Sequence, residues 1–247
     1  MKTLIAHRGM SCLAPENTLS AFSLAKKYNI DWIECDVDIL QDGTLVVSHD
    51  DTLDRCTDKH GKLHTLRAED LRHIDAGSWF SDKYVNERIP TVHSLIQLAN
   101  KIKLNLNIEI KSCTTGAYYT HKLIDGIIIA LDELDERREL IISSFNYLIL
   151  HEIKKQRPKT KVACLFEAHT LYDDWKSIIE WCGAEYIHPE NKELTENMIQ
   201  KFKSENLKIN VWTVNDLDRA NELFNWGVDG IFTDIGHKFP SKYRNAQ

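Results

Sequence analysis

Short runs of β-branched and apolar residues alternate along this chain with longer stretches whose apolar positions recur every three or four residues. Thr3-Leu4-Ile5-Ala6 reads as a buried strand, and a helix is expected over 17–28, where Leu19, Phe22, Leu24 and Ala25 share a face. Strands are expected over 31–40 and 44–48, separated by the turn signal Asp42-Gly43. Residues 51–90 break the rhythm: they are polar, contain Gly61 and Gly77, and read as a long loop excursion. Alternation resumes with a helix from Thr91 to about Lys101 and a strand over Asn105–Ile110. Further strands are expected over 140–143, 161–166, 185–188, 208–214 and 228–233, with helices over 118–135, 146–156, 171–182, 195–205 and 216–226.

Unbroken strand–helix alternation implies a parallel sheet, because a parallel connection needs a crossover helix. Seven or eight such units in 247 residues favour a closed (β/α)8 TIM barrel, as one domain over 1–247, above an open doubly wound sheet. No Gly-rich dinucleotide or P-loop motif is present, which agrees with that choice. With 31 Lys+Arg and 37 Asp+Glu, the net charge is −6, which argues against nucleic acid or an anionic membrane as partner. No apolar run approaches the ~18 residues of a membrane span. The start, Met1-Lys2-Thr3-Leu4-Ile5-Ala6-His7-Arg8, is too short in apolar residues for a signal peptide. Six scattered cysteines without a Cys-x-x-Cys read as free thiols, so the expected compartment is the cytoplasm.

In an α/β barrel the chemistry sits where strands end at the C-terminal rim. Here those ends read His7-Arg8-Gly9, Ser48-His49-Asp50, Trp212-Thr213-Val214-Asn215 and Thr233-Asp234, with Glu34 and Asp36 on the second strand and Glu109 running into Lys111. Glu34 and Asp36 are two residues apart on a strand, so both face one side while Ile33 and Val37 face the other. Two such carboxylates inside a barrel repel each other unless a cation neutralises them. Oxygen donors suit one Mg²⁺ or Ca²⁺, with Glu109 as a third ligand. A surface ion pair is the plainer alternative. Histidine is the side chain suited to proton transfer near neutral pH, so His7 and His49 can share base and acid roles. Arg8 and Lys111 offer a fork and a point charge to phosphate, or salt bridges to the same carboxylates. Trp212 is a candidate pocket wall, as are Trp79 and Phe80. His60 and His64 flank a loop glycine and do not read as a zinc site.

The ordered set His7-Arg8-Gly9, Ala14-Pro15-Glu16-Asn17-Thr18, Glu34-Cys35-Asp36, Asp42-Gly43, His49-Asp50-Asp51-Thr52-Leu53-Asp54-Arg55, Asn107-Ile108-Glu109-Ile110-Lys111, Trp212-Thr213-Val214-Asn215 and Thr233-Asp234 resembles the glycerophosphodiester phosphodiesterases, in particular their compact cytosolic bacterial branch. The match runs from residue 4 to about 236. The resemblance implies a TIM barrel and a Mg²⁺- or Ca²⁺-dependent hydrolase that yields sn-glycerol 3-phosphate and an alcohol. Carried over by position, Glu34, Asp36 and Glu109 would bind the metal, His7 and His49 would be the acid/base pair, and Arg8 and Lys111 would hold phosphate. By analogy with related barrels, the substrate's own hydroxyl would attack first and form a cyclic phosphate. Leu40, Cys56 and Val92-His93-Ser94 depart from the common pattern, and none is an expected ligand. Other readings of the same residues are a lysophospholipase D-type hydrolase, a lyase with Lys111 as Schiff-base nucleophile, and a barrel that binds phosphate esters without turnover. The oligomeric state is not legible from the sequence.

Overall fold

The computed structural model describes residues 2–113 and 116–244. Met1, Thr114, Thr115 and 245–247, part of the single domain expected over 1–247, lie outside the described residues. Strands β1 (Thr3–Ala6), β2 (Trp32–Ile39), β4 (Asn105–Ile110), β5 (Leu140–Ser144), β6 (Lys161–Phe166), β7 (Tyr186–Pro189), β8 (Lys208–Val211) and β9 (Gly230–Thr233) form a parallel sheet. β1 pairs with both β9 and β2, which closes the barrel. Helices α1 (Leu19–Lys27), α2 (Val92–Ile102), α3 (Ala117–Leu131), α4 (Tyr147–Gln156), α5 (Trp175–Cys182), α6 (Glu196–Ser204) and α7 (Leu217–Trp226) connect the strands. The side-chain oxygens of Thr18, Thr91, Asn146, Thr195 and Asp216 cap five of them by accepting a backbone N–H of the first turn.

Four boundaries differ from expectation. The run at 44–48 is β3 (Leu45–Val47), antiparallel to β2 and outside the barrel. Leu40 to Thr44 is far too short for a crossover helix, so the chain reverses as a hairpin, with Gly43 at φ +94°. The strand expected over 208–214 stops at Val211, where the Trp212 carbonyl turns to accept from the Asn191 N–H and the Val214 N–H bonds Phe232. The helix expected over 118–135 ends at Leu131, and the one expected over 171–182 begins at Trp175.

The excursion at 51–90 folds as three 3-10 turns over its own small core of Leu40, Val46, Leu53, Leu63, Leu71, Ile74, Ala76 and Ile89. The main core lies between sheet and helices. It takes Ile33, Cys35 and Val37 from β2 and Leu106, Ile108 and Ile110 from β4. The alternate residues of those strands, Glu34, Asp36, Asn107 and Glu109, therefore face the barrel interior.

Candidate active site

The register of β2 against β4 sets Glu34 beside Asn107 and Asp36 beside Glu109. One carboxylate oxygen from each of Glu34, Asp36 and Glu109 lies within 4.8 Å of the others. Asp36 is anchored from several directions. Asn17, in the left-handed region at φ 57°, donates Nδ2 to its carboxylate at 2.8 Å and accepts its backbone N–H at 3.2 Å. Although burial opposes ionisation, Arg8, His49 and Lys111 hold the Asp36 carboxyl below its usual range. Glu34 and Glu109 are pushed upward, first by burial and then by the Asp36 charge.

The turn His7-Arg8-Gly9 brings β1 onto this cluster. Arg8 has φ 54°, which aims its backbone N–H at Glu34 Oε2, 2.8 Å away. Gly9 follows at φ +78°, and a Cβ there would meet Ala21 at 2.8 Å, so the position accepts no side chain. Arg8 Nη1 donates to Glu16 Oε1 at 2.8 Å, and its Nε sits 3.4 Å from Asp36 Oδ2. Lys111 Nζ lies 2.8 Å from Glu109 and 3.8 Å from Asp36, and these carboxylates raise its pKa against the pull of burial. The salt bridges considered from sequence are thus present for both cations.

The two histidines have matching supports. His7 Nδ1 lies 2.7 Å from Asp234 Oδ1, and His49 Nδ1 lies 2.6 Å from Asp50 Oδ1. Asp234 and Asp50 are both depressed to about 2, so each is an ionised acceptor and each histidine carries its proton on Nδ1. Burial works against the charged form of His7, but Asp234 and Glu34 raise its pKa overall. Both rings line one cavity of about 410 Å³, with Nε2 as the nitrogen left for a ligand. Arg8, Glu34, Glu109 and Lys111 line the same cavity, and Phe145, Leu165, Trp212 and Phe232 form its apolar wall.

The oxygen-donor cluster fits a hard cation. Glu34 is 3% exposed, and its Oε1 is buried with no hydrogen-bond partner among the described residues. A bound divalent ion would satisfy that atom and lower the raised carboxyls together.

The structure brings together His7, Arg8, Glu34, Asp36, His49, Glu109, Lys111 and Trp212, all expected at the site. Trp212 donates Nε1 to the His188 carbonyl at 2.8 Å, which presents its ring to the cavity. Trp79 and Phe80 do not line it. They stack edge-to-face within the excursion, and Trp79 donates to the Ala76 carbonyl three residues back. Sequence reasoning assigned no role to Asn107, Ser143, Asp234, Asp50, Glu16 or Arg55. Asn107 was within reach, being two residues from Glu109 on the inward face. The others matter through long-range pairs: Arg55 donates Nε to Asp50 at 2.7 Å and both Nη to Glu16 at 2.7 and 2.8 Å.

Residues 7–236 match the Glycerophosphoryl diester phosphodiesterase family. The chain belongs to this family. It is an enzyme of that phosphodiester-hydrolysing family, built on its barrel. Among its relatives, the glycerophosphodiester phosphodiesterase of Caldanaerobacter subterraneus subsp. tengcongensis is 36% identical over 95% of each chain. A Bacillus subtilis glycerophosphodiester phosphodiesterase is 31% identical over 97% of this chain and 86% of its own. An Oleispira antarctica phosphodiesterase, solved with the product sn-glycerol-3-phosphate, superposes with a TM-score of 0.91 at 32% identity, covering 96% of this chain and 94% of that one.

Proposed function

We propose that this protein hydrolyses glycerophosphodiesters, such as glycerophosphocholine and glycerophosphoethanolamine, to sn-glycerol 3-phosphate and an alcohol. One observation carries the reading. Two histidines, each held at Nδ1 by an ionised aspartate, face one cavity beside a cluster of three inward carboxylates.

Glu34, Asp36 and Glu109 would hold one divalent cation, Mg²⁺ or Ca²⁺, which when bound neutralises charge on the phosphoryl oxygens. Arg8 and Lys111 serve the same oxygens from the protein side. Arg8 Nε is buried without a hydrogen bond among the described residues and keeps only an ion pair with Asp36 at 3.4 Å, so that N–H can serve a phosphate oxygen. One histidine accepts the proton of the attacking hydroxyl at Nε2, and the other delivers a proton from Nε2 to the departing alcohol oxygen. The attacking group is the glycerol 2-hydroxyl. Its P–O bond forms as the bond to the alcohol breaks, which leaves a cyclic phosphate. Water then opens the ring with the two histidines in exchanged roles. Trp212 walls the pocket around the glycerol or the alcohol group.

Lys111 does not suit Schiff-base chemistry. Its pKa is raised by Glu109 and Asp36, and an ammonium cannot attack a carbonyl. We take residues 1–247 as one catalytic domain. The six free cysteines support a reducing compartment and hence the cytoplasm. Among the described residues no helix is long and apolar enough to cross a membrane.

Release of sn-glycerol 3-phosphate from glycerophosphocholine tests the reading, with EDTA and then with Mg²⁺ or Ca²⁺ restored. The expected result is release that stops with chelator and returns with metal. No release under either metal overturns it.

A further inference from the structure

Beside the catalytic cavity lies a second groove, of about 740 Å³, open to solvent. Phe145, on the loop after β5, lines both. The remaining wall comes from Tyr147, Glu167, Tyr172 and Asp174, with Thr170 and Ile178 at its edge. One strand also feeds both spaces. Leu165 lines the cavity, and Glu167, two residues further on, rises on the same side into the groove. Tyr147 is fixed in place by donating its hydroxyl to the Leu165 carbonyl at 2.9 Å.

The chemistry of this groove is distinct from that of the cavity. Aromatic faces are present at Phe145, Tyr147 and Tyr172, and two carboxylates at Glu167 and Asp174. No lysine or arginine lines it among the described residues. Asp174 stands at the start of α5 yet accepts no capping bond. Glu167 has His169 at 3.2 Å, but His169 is 76% exposed, and such a surface pair is readily displaced. Aromatic faces beside one uncapped carboxylate and one held only by an exposed histidine make up a site for an organic cation, most of all one whose methyl groups resist hydration.

Another space, of about 390 Å³, adjoins the cavity on the His49 side, but Arg55, which ties Asp50 to Glu16, lines it, and no phenylalanine, tyrosine or tryptophan does. On the His7 side, Asp234 is held by Ser11 and Asn215 as well as by the histidine. Past Phe145, a diester whose phosphate lies between the histidines meets the aromatic groove.

We propose that the groove between Phe145, Tyr172, Glu167 and Asp174 binds the alcohol half of the substrate and selects alcohols that carry an ammonium group. This inference rests on the phosphodiesterase reading for its substrate, and it assigns the specificity to residues outside the catalytic set. Glu167 and Asp174 touch neither the phosphate site nor the carboxylate cluster, so their replacement leaves the chemistry intact.

The test compares glycerophosphocholine with the uncharged-alcohol ester glycerophosphoglycerol, in wild type, Glu167→Gln, Glu167→Lys and the double variant Glu167→Gln/Asp174→Asn. Each contact at an exposed site contributes roughly two- to fivefold. The double variant is therefore expected to raise KM for glycerophosphocholine by roughly tenfold with kcat unchanged. Glu167→Lys is expected to raise it further. KM for glycerophosphoglycerol stays within about twofold throughout. Equal changes on both esters, or no change on either, overturn the subsite. Calorimetric titration with choline alone, on wild type and double variant, separates the two claims. Turnover of both esters, with choline binding that the double variant does not weaken, removes the subsite and keeps the phosphodiesterase reading. Choline binding that the double variant abolishes, in a protein that cleaves neither ester, keeps the cation subsite and removes the phosphodiesterase reading.

Discussion

On the β1–β2–β4 side of the rim, charged groups from distant parts of the chain are tied to one another. Asn17 holds Asp36, Glu16 bridges Arg8 and Arg55, and Arg55 reaches on to Asp50 and so to His49. Across the barrel, on β5, β6 and β8, the same level carries Phe145, Leu165 and Trp212 and opens into a groove. The tied side has oriented donors and acceptors that cannot relax without breaking several bonds, as transition-state stabilisation requires. The open side makes contacts of shape and diffuse charge, which tolerate exchange. The difference teaches that, on the proposed reading, reaction type and substrate choice would reside on separate arcs of one rim and could be altered separately.

The largest effects are expected on the tied side. Glu34→Gln should abolish turnover, with a loss of about a thousandfold or more in kcat/KM. The same variant should melt at or above the wild-type Tm in EDTA, because it replaces a carboxyl whose ionisation burial and Asp36 disfavour by a neutral amide of the same shape. Asp36→Asn should lose activity alike but lower Tm, since Arg8 and Lys111 pair with that carboxylate as ions and Asn17 hydrogen-bonds it. If both variants shifted Tm in the same direction, the carboxylates would not differ as described. Divalent cation should raise the Tm of wild type and not that of Glu34→Gln.

Next in size, His7→Ala and His49→Ala should each lower kcat by roughly 10²- to 10⁴-fold with little change in Tm. Arg55→Ala comes below these, at roughly tenfold or somewhat more in kcat, because it displaces His49 and Arg8 without removing them. A conservative Arg55→Lys should recover part of the loss, as a point charge cannot bridge Glu16 and Asp50 with a planar fork. Leu165→Ala on the open side should act on KM by severalfold and leave kcat nearly intact.

The smallest effect concerns acid stability. Asp50 is depressed to about 2 by Arg55 and His49, so its contribution is present above the ordinary carboxylate pKa and is lost as pH falls toward 2. Asp50→Asn should therefore flatten the decline of Tm between about pH 4 and 2.

The barrel was legible because each parallel connection leaves a strand–helix signature, and the paired carboxylates because period-two spacing survives in any strand. The antiparallel β3 looked like one more barrel strand, since a three-residue apolar run carries no information about its direction. Asp234 escaped assignment for another reason. Its partner His7 lies 227 residues earlier, and only the closure of β9 onto β1 brings the two together. The Glu16–Arg55 link likewise depends on how an irregular excursion packs, which follows from its own small core and not from any repeating pattern. Trp79 and Phe80 were plausible wall residues by composition, but they pair with each other at a ring distance of 5.7 Å and so are used locally.

The hairpin carries a consequence for how such a site could be assembled piece by piece. His7 follows a strand that the barrel cannot lose, whereas His49 arrives on β3, the strand outside the barrel that leads into the excursion. The barrel strands and the turn after β1 by themselves gather the three carboxylates, Arg8 and His7. Only the second histidine depends on the appended hairpin, so a change in how that hairpin packs would move one proton carrier and leave the other in place.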